Sequence, residues 1–419
     1  MIQLLLNLAE KIDSQCRAYY RPLIILLCIF AFINFSRVGY TLSQNWNGWT
    51  IGDWILNYQG GFIRRGLLGT LLISVGNSFS MPLNDLTYLL QCTVFVLFLL
   101  TFIYLIRNKE INFWYLILCF SPGFLLFNYY DGMSVGRKEI LIYMLFAAWC
   151  VLHERAQPRL ISIAIFSILV FVLTLTHEMV LFFMPYFILV GYSSCAGNSS
   201  QGFVKLLMPA VASFAAVAVL ILFAHPISEP SMCRIFTELG ANEKVCNGII
   251  SFGSDASIGI VWQRLIALDP LIQLQWLAFL PLIVAPIYLC LHFVKHKELD
   301  GKKLLIIAAF LIMATAPLFL LSIDWGRWIA IHVTLSAIFI ASHLPRLAQL
   351  SDERNAVANR MAWRLRVGQS NLIVLLTVGL AVLLLDLSYS INHCCANNLI
   401  EPFGPLKKLF MTLKPYVNF

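Results

Sequence analysis

Charge is scarce in this chain. Asp, Glu, Lys and Arg make up 12% of its 419 residues, about half the share that a water-facing surface carries. That shortage excludes a soluble globular fold, because a solvated exterior cannot be assembled from so few ionisable groups. It also excludes a disordered chain, which combines low hydrophobicity with high net charge. Motif chemistry is sparse too. The eleven cysteines contain no CxxC pair, so no zinc or redox motif is present. His177-Glu178 does not continue into a zinc-protease HExxH, since Leu181 stands where the second His belongs. A DxD signature, an internal repeat and a low-complexity tract are all lacking, as is a cleavable leader, because Leu4 to Leu8 is too brief. No metal site and no cofactor are expected.

What is present is apolar sequence. Hydrophobic residues reach 60% and the mean hydropathy is +0.80. The formal charge of +8 does not point to nucleic acid, because the basic residues sit between apolar runs and not on one soluble face. A helix needs about 20 mostly apolar residues to cross a bilayer. The expected fold is therefore all-α, a polytopic transmembrane bundle of about eleven spans forming one integral membrane domain over 1–419. The candidate spans are 22–40 (a retained signal anchor), 86–106, 112–129, 139–152, 160–176, 179–193, 203–224, 271–293, 304–323, 329–343 and 370–390. The run 66–79 is too short to span and is fenced by Arg64, Arg65 and Asn77. It reads as an interfacial or re-entrant helix, which must be covered by protein or line a wet cavity.

Lys and Arg in the loops set the orientation. With the N-terminus inside and the C-terminus outside, 17 of the 29 cations lie on the inner side. A large extracytoplasmic loop then covers 225–270, where an oxidising compartment favours a bridge between Cys233 and Cys246 over two free thiols. The segment 344–369 is basic with interleaved apolar residues and reads as a cytoplasmic amphipathic surface helix.

Ionisable residues beside spans are expensive and therefore informative. Four clusters fall on the outer side in this layout. The first holds Asp53, Tyr58, Gln59, Gly60, Gly61, Arg64, Arg65 and Gly66; the second holds Tyr129, Tyr130, Asp131, Arg137, Lys138 and Glu139. His177-Glu178 is the third, and Asp324, Trp325, Arg327 and Trp328 form the fourth. Each has a structural alternative: lipid-phosphate anchoring for Arg64-Arg65, an ordinary helix start for Arg137-Lys138-Glu139, a surface pair for His177-Glu178, and an interfacial Trp belt for the last. Taken together they offer guanidinium groups for phosphate, carboxylates and an imidazole for proton transfer, and aromatic faces for sugar rings. The glycines of the first cluster suit an anion cradle beside a helix N-terminus. Such a set fits a lipid-phosphate-linked sugar whose acyl chain stays in the bilayer.

At these residues the chain resembles the bacterial polytopic enzymes that build surface polysaccharide from undecaprenyl-linked sugars, namely O-antigen polymerases of the Wzy type and, less closely, GT-C glycosyltransferases. The resemblance covers the general plan and matches no long motif. It implies glycosyl transfer or polymerisation at the outer leaflet of the bacterial inner membrane, with Arg64, Arg65, Arg137 and Arg327 on phosphate and His177 or Glu178 as the base. The GT-C version instead gives Asp53 or Asp131 the acidic role. Lys138, Tyr58 and Trp325 complete the substrate-binding set and Asp324 the set of candidate catalytic carboxylates. Expected partners are membrane lipids, a polyprenyl-(di)phosphate-linked glycan and other polysaccharide-assembly proteins, with no nucleic acid. A transporter or flippase of a lipid-linked or anionic solute is the rival from another class.

Overall fold

The computed structural model describes residues 2–154, 158–194, 200–225, 229–249, 283–288, 301–322, 324–345, 389–392 and 400–404, with isolated positions between 263 and 291. Among these the chain is overwhelmingly helical. In order they are α1 Ile2–Gln44, α2 Ile51–Ile55, α3 Gly66–Phe79, α4 Leu83–Ile106, α5 Phe113–Phe120, α6 Phe127–Tyr130, α7 Glu139–Glu154, α8 Leu160–Thr176, α9 Val180–Ser194, α10 Ser200–Phe223, α11 Glu229–Glu238, α12 Gly301–Leu321 and α13 Trp325–His343. Four described segments are long and apolar enough to cross a membrane: Cys16–Gln44, Leu83–Ile106, Leu206–Phe223 and Trp325–His343. Their outward faces carry large apolar side chains such as Leu26, Ile33, Leu100 and Ile221, the arrangement a bilayer solvent rewards.

Several expected boundaries hold closely, including 160–176 and the short helix 66–79. Two do not. The expected span 112–129 is broken: α5 stops at Phe120, a turn follows, and α6 begins at Phe127. The cause is Pro122, which pushes Ser121 out of the helical region to ψ 138° and removes a backbone donor. Secondly, the last residues of the expected span 370–390 are extended, since Tyr389–Ile391 pairs antiparallel with Ile400–Pro402 (β1 with β2). The remainder of that span, most of 271–293, and 346–369 of the basic segment lie outside the described residues.

Polar ties fix the order of the two ends of the bundle. At one end Lys109 donates to the Ser342 carbonyl at 2.9 Å and pairs with Glu154 at 3.2 Å, while Arg21 donates to the Lys109 carbonyl. The end of α4 thus meets the ends of α7 and α13. At the opposite end Ser43 of α1 donates to the Asn84 carbonyl of α4, and Gln91 donates to the Gly136 carbonyl just before α7. The helix α3 begins at this second end and hands over to α4, which starts there as well. Between the ends lies an aromatic core, with Phe35 stacked on Phe95 and Phe102 edge-on to Phe124.

Residues 229–249 fold back onto the second end. Cys233 and Cys246 are disulfide-bonded, and Gly48 and Gly248 form an isolated bridge that lays this segment against α2. Val245, fully buried, covers Gly52.

Candidate functional site

Short elements at the second end place the chemistry. The turn Asn47–Thr50 is closed by the Asn47 side chain, which accepts from Trp49 N and Thr50 N at 3.0 Å each. It launches α2, whose five residues are all buried, Asp53 among them. The chain then reverses so tightly that a Cβ on Gly69 would strike the backbone of Ile55 and Leu56. Arg65, before α3, sits in the left-handed region at φ 65°, a conformation costing a non-glycine residue about 1 kcal/mol or more. Its ion pairs offset that cost.

Across the bundle Gly136 holds the turn before α7. Its φ of +73° is left-handed and its missing Cβ leaves room for the Gln91 amide. Its carbonyl accepts from Trp54 Nε1 at 2.6 Å and Gln91 Nε2 at 2.9 Å. This double anchor ties α2, α4 and the start of α7 together, and so positions Arg137, Lys138 and Glu139.

Three of the four sequence clusters meet around Asp53. Arg65 donates to Glu178 from Nε at 2.9 Å and from Nη2 at 2.9 Å, a bidentate fork. Its Nη1 lies 3.5 Å from Asp53, and Lys138 Nζ lies 3.7 Å from the same Asp53 oxygen. Lys138 is completely buried and also donates to the Thr176 carbonyl at 3.2 Å. Burial by itself would raise the Asp53 carboxyl, but Lys138 and Arg65 outweigh it and hold it below its ordinary value. In the same way Arg65 overcomes the burial of Glu178 and keeps that carboxyl well below the usual carboxylate range. Burial pushes the Lys138 amine down.

The fourth cluster joins through Glu139. Arg327 of α13 reaches Asp324 with Nη1 and Glu139 with Nη2. His177 is wholly buried, with Nε2 3.5 Å from Glu139 and Nδ1 without a hydrogen-bond partner. Burial and then the Arg65 charge depress the imidazole, which is neutral at pH 7. Set Arg64, Arg65, Arg137, Lys138 and Arg327 against Asp53, Glu139, Glu178 and Asp324, and one positive charge remains.

That surplus is found on Arg137. Its side chain is buried, yet no carboxylate lies within ion-pair distance of it among the described residues. Its direct contacts are a long bond from Nε to the Met133 carbonyl (3.5 Å) and the face of Trp49 (5.3 Å), while Asp324, Glu139 and Asp53 act on it from beyond ion-pair distance. Burial and the neighbouring Arg327 bring it down to about 10, so it remains charged. Arg137, Glu139 and Arg327 line a cavity whose other walls include Phe95, Phe98, Phe124 and Tyr143. Two cations and one carboxylate therefore face a largely aromatic cavity, whose lining residues come from α4, the broken α5–α6 segment, the turn before α7, α7 itself and α13.

Asp53, Arg65, Arg137, Lys138, His177, Glu178, Asp324 and Arg327 thus belong to one connected arrangement. Four other expected residues sit at its margin. Arg64 points outward and approaches Glu178 only at 3.9 Å. Asp131 accepts from Met133 N and caps the 3₁₀ turn Gly132–Ser134. Trp325 donates to the Phe319 carbonyl. Tyr58 packs against Gly66, filling the space that an anion cradle at that glycine would need. The residue that sequence reasoning undervalued is Glu139, placed in the second cluster with a helix start as its alternative but given no catalytic or binding role. An acid directly after Arg-Lys and ahead of an apolar helix was the available signal. Among the described residues no group of acids, histidines and cysteines is arranged to hold a metal ion.

No family model matches this chain, and no curated protein or solved structure shows significant similarity to it.

Proposed function

We propose that this chain is a membrane glycosyltransferase or polymerase that takes a sugar carried on a polyprenyl (di)phosphate, with the site facing the extracytoplasmic side of the bacterial inner membrane. One observation carries the reading: Arg137 is a buried guanidinium with no carboxylate within ion-pair distance among the described residues, beside Arg327 and Glu139 in a cavity walled mainly by Phe95, Phe98, Phe124, Phe127 and Tyr143. Burying an unpaired cation costs several kcal/mol, and a fold tolerates that where a ligand supplies the missing negative charge. A phosphate is the natural complement of two guanidinium forks. Phe95, Phe98, Phe124 and Tyr143 would offer their faces to the apolar side of a sugar once the cavity, about 30 Å³ as it stands, opens around the bound anion.

In this reading the acceptor hydroxyl attacks the anomeric carbon of the donor. The bond from that carbon to the phosphate oxygen breaks with its electron pair, and the departing phosphate gathers charge that Arg137 and Arg327 stabilise. The proton of the hydroxyl goes to a carboxylate. Glu139 is the carboxylate that lines the cavity, and His177 stands behind it, 3.5 Å away. Glu178, clamped bidentately by Arg65 and not part of the cavity wall, is assigned the structural part of the site. The helix α3, which starts and ends at the site's end of the bundle, does not cross the membrane in this layout.

A deletion strain complemented with variants tests the reading. Arg137→Gln should abolish long-chain surface polysaccharide at normal protein level in the membrane, while Arg64→Ala should leave the ladder close to wild type. An unchanged ladder with Arg137→Gln removes the phosphate site from the function. Loss of one branch sugar from an otherwise complete polymer assigns a single-sugar transferase instead of a polymerase.

A further inference from the structure

The cavity cannot receive an anion on both arginines as it stands. Arg327 has its two amino groups committed, Nη1 to Asp324 and Nη2 to Glu139. Among the described residues only Arg137 lacks a carboxylate partner there, and Glu139 holds an amino group of Arg327 in the cavity wall that all three line. The Arg327 Nε is buried without a partner, so the guanidinium is not locked by a full set of bonds. Glu139 itself keeps a second anchor of opposite kind, the neutral His177 at 3.5 Å.

We propose that Glu139 is a built-in competitor for the anion site: its carboxylate holds Arg327 until a (di)phosphate displaces it, and only then is it released towards the acceptor hydroxyl. This deepens the reading above and rests on it. Phosphate binding and base activation become one event, because the same guanidinium moves from the carboxylate to the incoming anion. Freed from Arg327, the carboxylate regains basicity and turns to His177 and the cavity. A hydroxyl arriving without a lipid-linked donor would meet a base still neutralised by arginine, which guards the site against idle proton transfer and hydrolysis. The energetic signature is a conformational tax on affinity. If the displaced form is populated at about a tenth in the empty protein, the apparent Kd is about tenfold weaker than the intrinsic one.

The test is titration calorimetry of the full-length protein in detergent with farnesyl diphosphate, a short soluble polyprenyl diphosphate. Wild type should bind, Arg137→Gln should lose binding, and Glu139→Gln should bind about tenfold tighter than wild type while losing polysaccharide synthesis in cells. Glu139→Asp, one methylene shorter and still charged, should fall between wild type and Glu139→Gln in affinity, and it decides the matter if Glu139→Gln does not fold. Equal or weaker binding by these two variants, with wild type binding normally, overturns the competitor role and leaves the phosphate site standing. Failure of wild type and both Glu139 variants alike to bind farnesyl diphosphate overturns the phosphate site and the competitor with it.

Discussion

Replacing Asp53 by Asn should be among the most damaging isosteric changes available to this protein. The carboxylate is buried at 2% exposure and sits between Arg65 at 3.5 Å and Lys138 at 3.7 Å. Arg65 keeps Glu178 as its principal partner, so it tolerates the loss. Lys138 does not: Asp53 is its one carboxylate within ion-pair distance among the described residues, and its remaining bonds go to backbone carbonyls of Thr176 and Arg65. Removing one partner of a buried pair costs about 3–5 kcal/mol because the other charge is stranded. The separations exceed hydrogen-bond length and the carbonyls compensate in part, so the lower end, about 3 kcal/mol, applies. With about 2.1 cal/mol/K of unfolding entropy per residue, that is a fall in Tm of roughly 3–4 °C for a chain of this size. Lys138→Met alone should cost less, since Asp53 retains Arg65, and the double variant Asp53→Asn, Lys138→Met should recover about 2 kcal/mol of the first loss. The assay is thermal unfolding in detergent, read by a thiol-reactive dye that reports exposure of the buried Cys16, Cys28, Cys119, Cys150 and Cys290. Additive effects of the two substitutions would refute the claim that this lysine and this aspartate form one buried unit.

Acid should destabilise the protein in two stages. His177 has its pKa lowered in the fold, so its contribution is complete above the unfolded value of about 6.5 and is lost as pH falls below it; His177→Gln should flatten the fall in Tm between pH 7 and pH 5, and an unchanged slope would contradict its burial as the neutral imidazole. Asp53 and Glu178 are likewise lowered, so their contribution is present above about pH 4 and disappears on further acidification, and Glu178→Gln should show less of that late loss than wild type. Cutting the Cys233–Cys246 bridge with a Cys233→Ser, Cys246→Ser variant should lower stability by about 3 kcal/mol and open 229–249 to limited proteolysis, because that segment covers α2 through Val245. Resistance equal to wild type would show that the packing on Gly48 and Gly52 suffices without the bridge.

Much of this arrangement could be read from the sequence because a membrane solvent makes charge costly. In an apolar chain Asp53, Arg65, Lys138, Glu178 and Arg327 stand out without any knowledge of the fold, and their shared side follows from counting helices and loop cations. The helix Gly66–Phe79 was equally plain, being too short to span and bounded by arginines. Less legible was the break at Pro122, whose composition on either side is that of a span; the local rule about the residue before proline overrides hydropathy there. Hidden altogether was the pairing within the cluster. Nothing in the spacing tells that Arg65 forks onto Glu178, leaving Glu139 for Arg327 and no acid for Arg137, since those choices come from side-chain reach across α3, α7, α9 and α13. Glu139 illustrates the difficulty: acids at the first position of a helix are favoured by its dipole whatever their role, so its position alone could not separate a helix start from the carboxylate of a cavity.

The most direct test of the central claim is a product assay on purified protein in lipid nanodiscs, supplied with an oligosaccharide linked to a polyprenyl diphosphate and a matching acceptor. The account predicts lengthened glycan together with one equivalent of freed polyprenyl diphosphate per bond made, both abolished by Arg137→Gln. Movement of the intact lipid-linked sugar between leaflets, with neither longer glycan nor freed diphosphate, would contradict it and assign the arginines to transport.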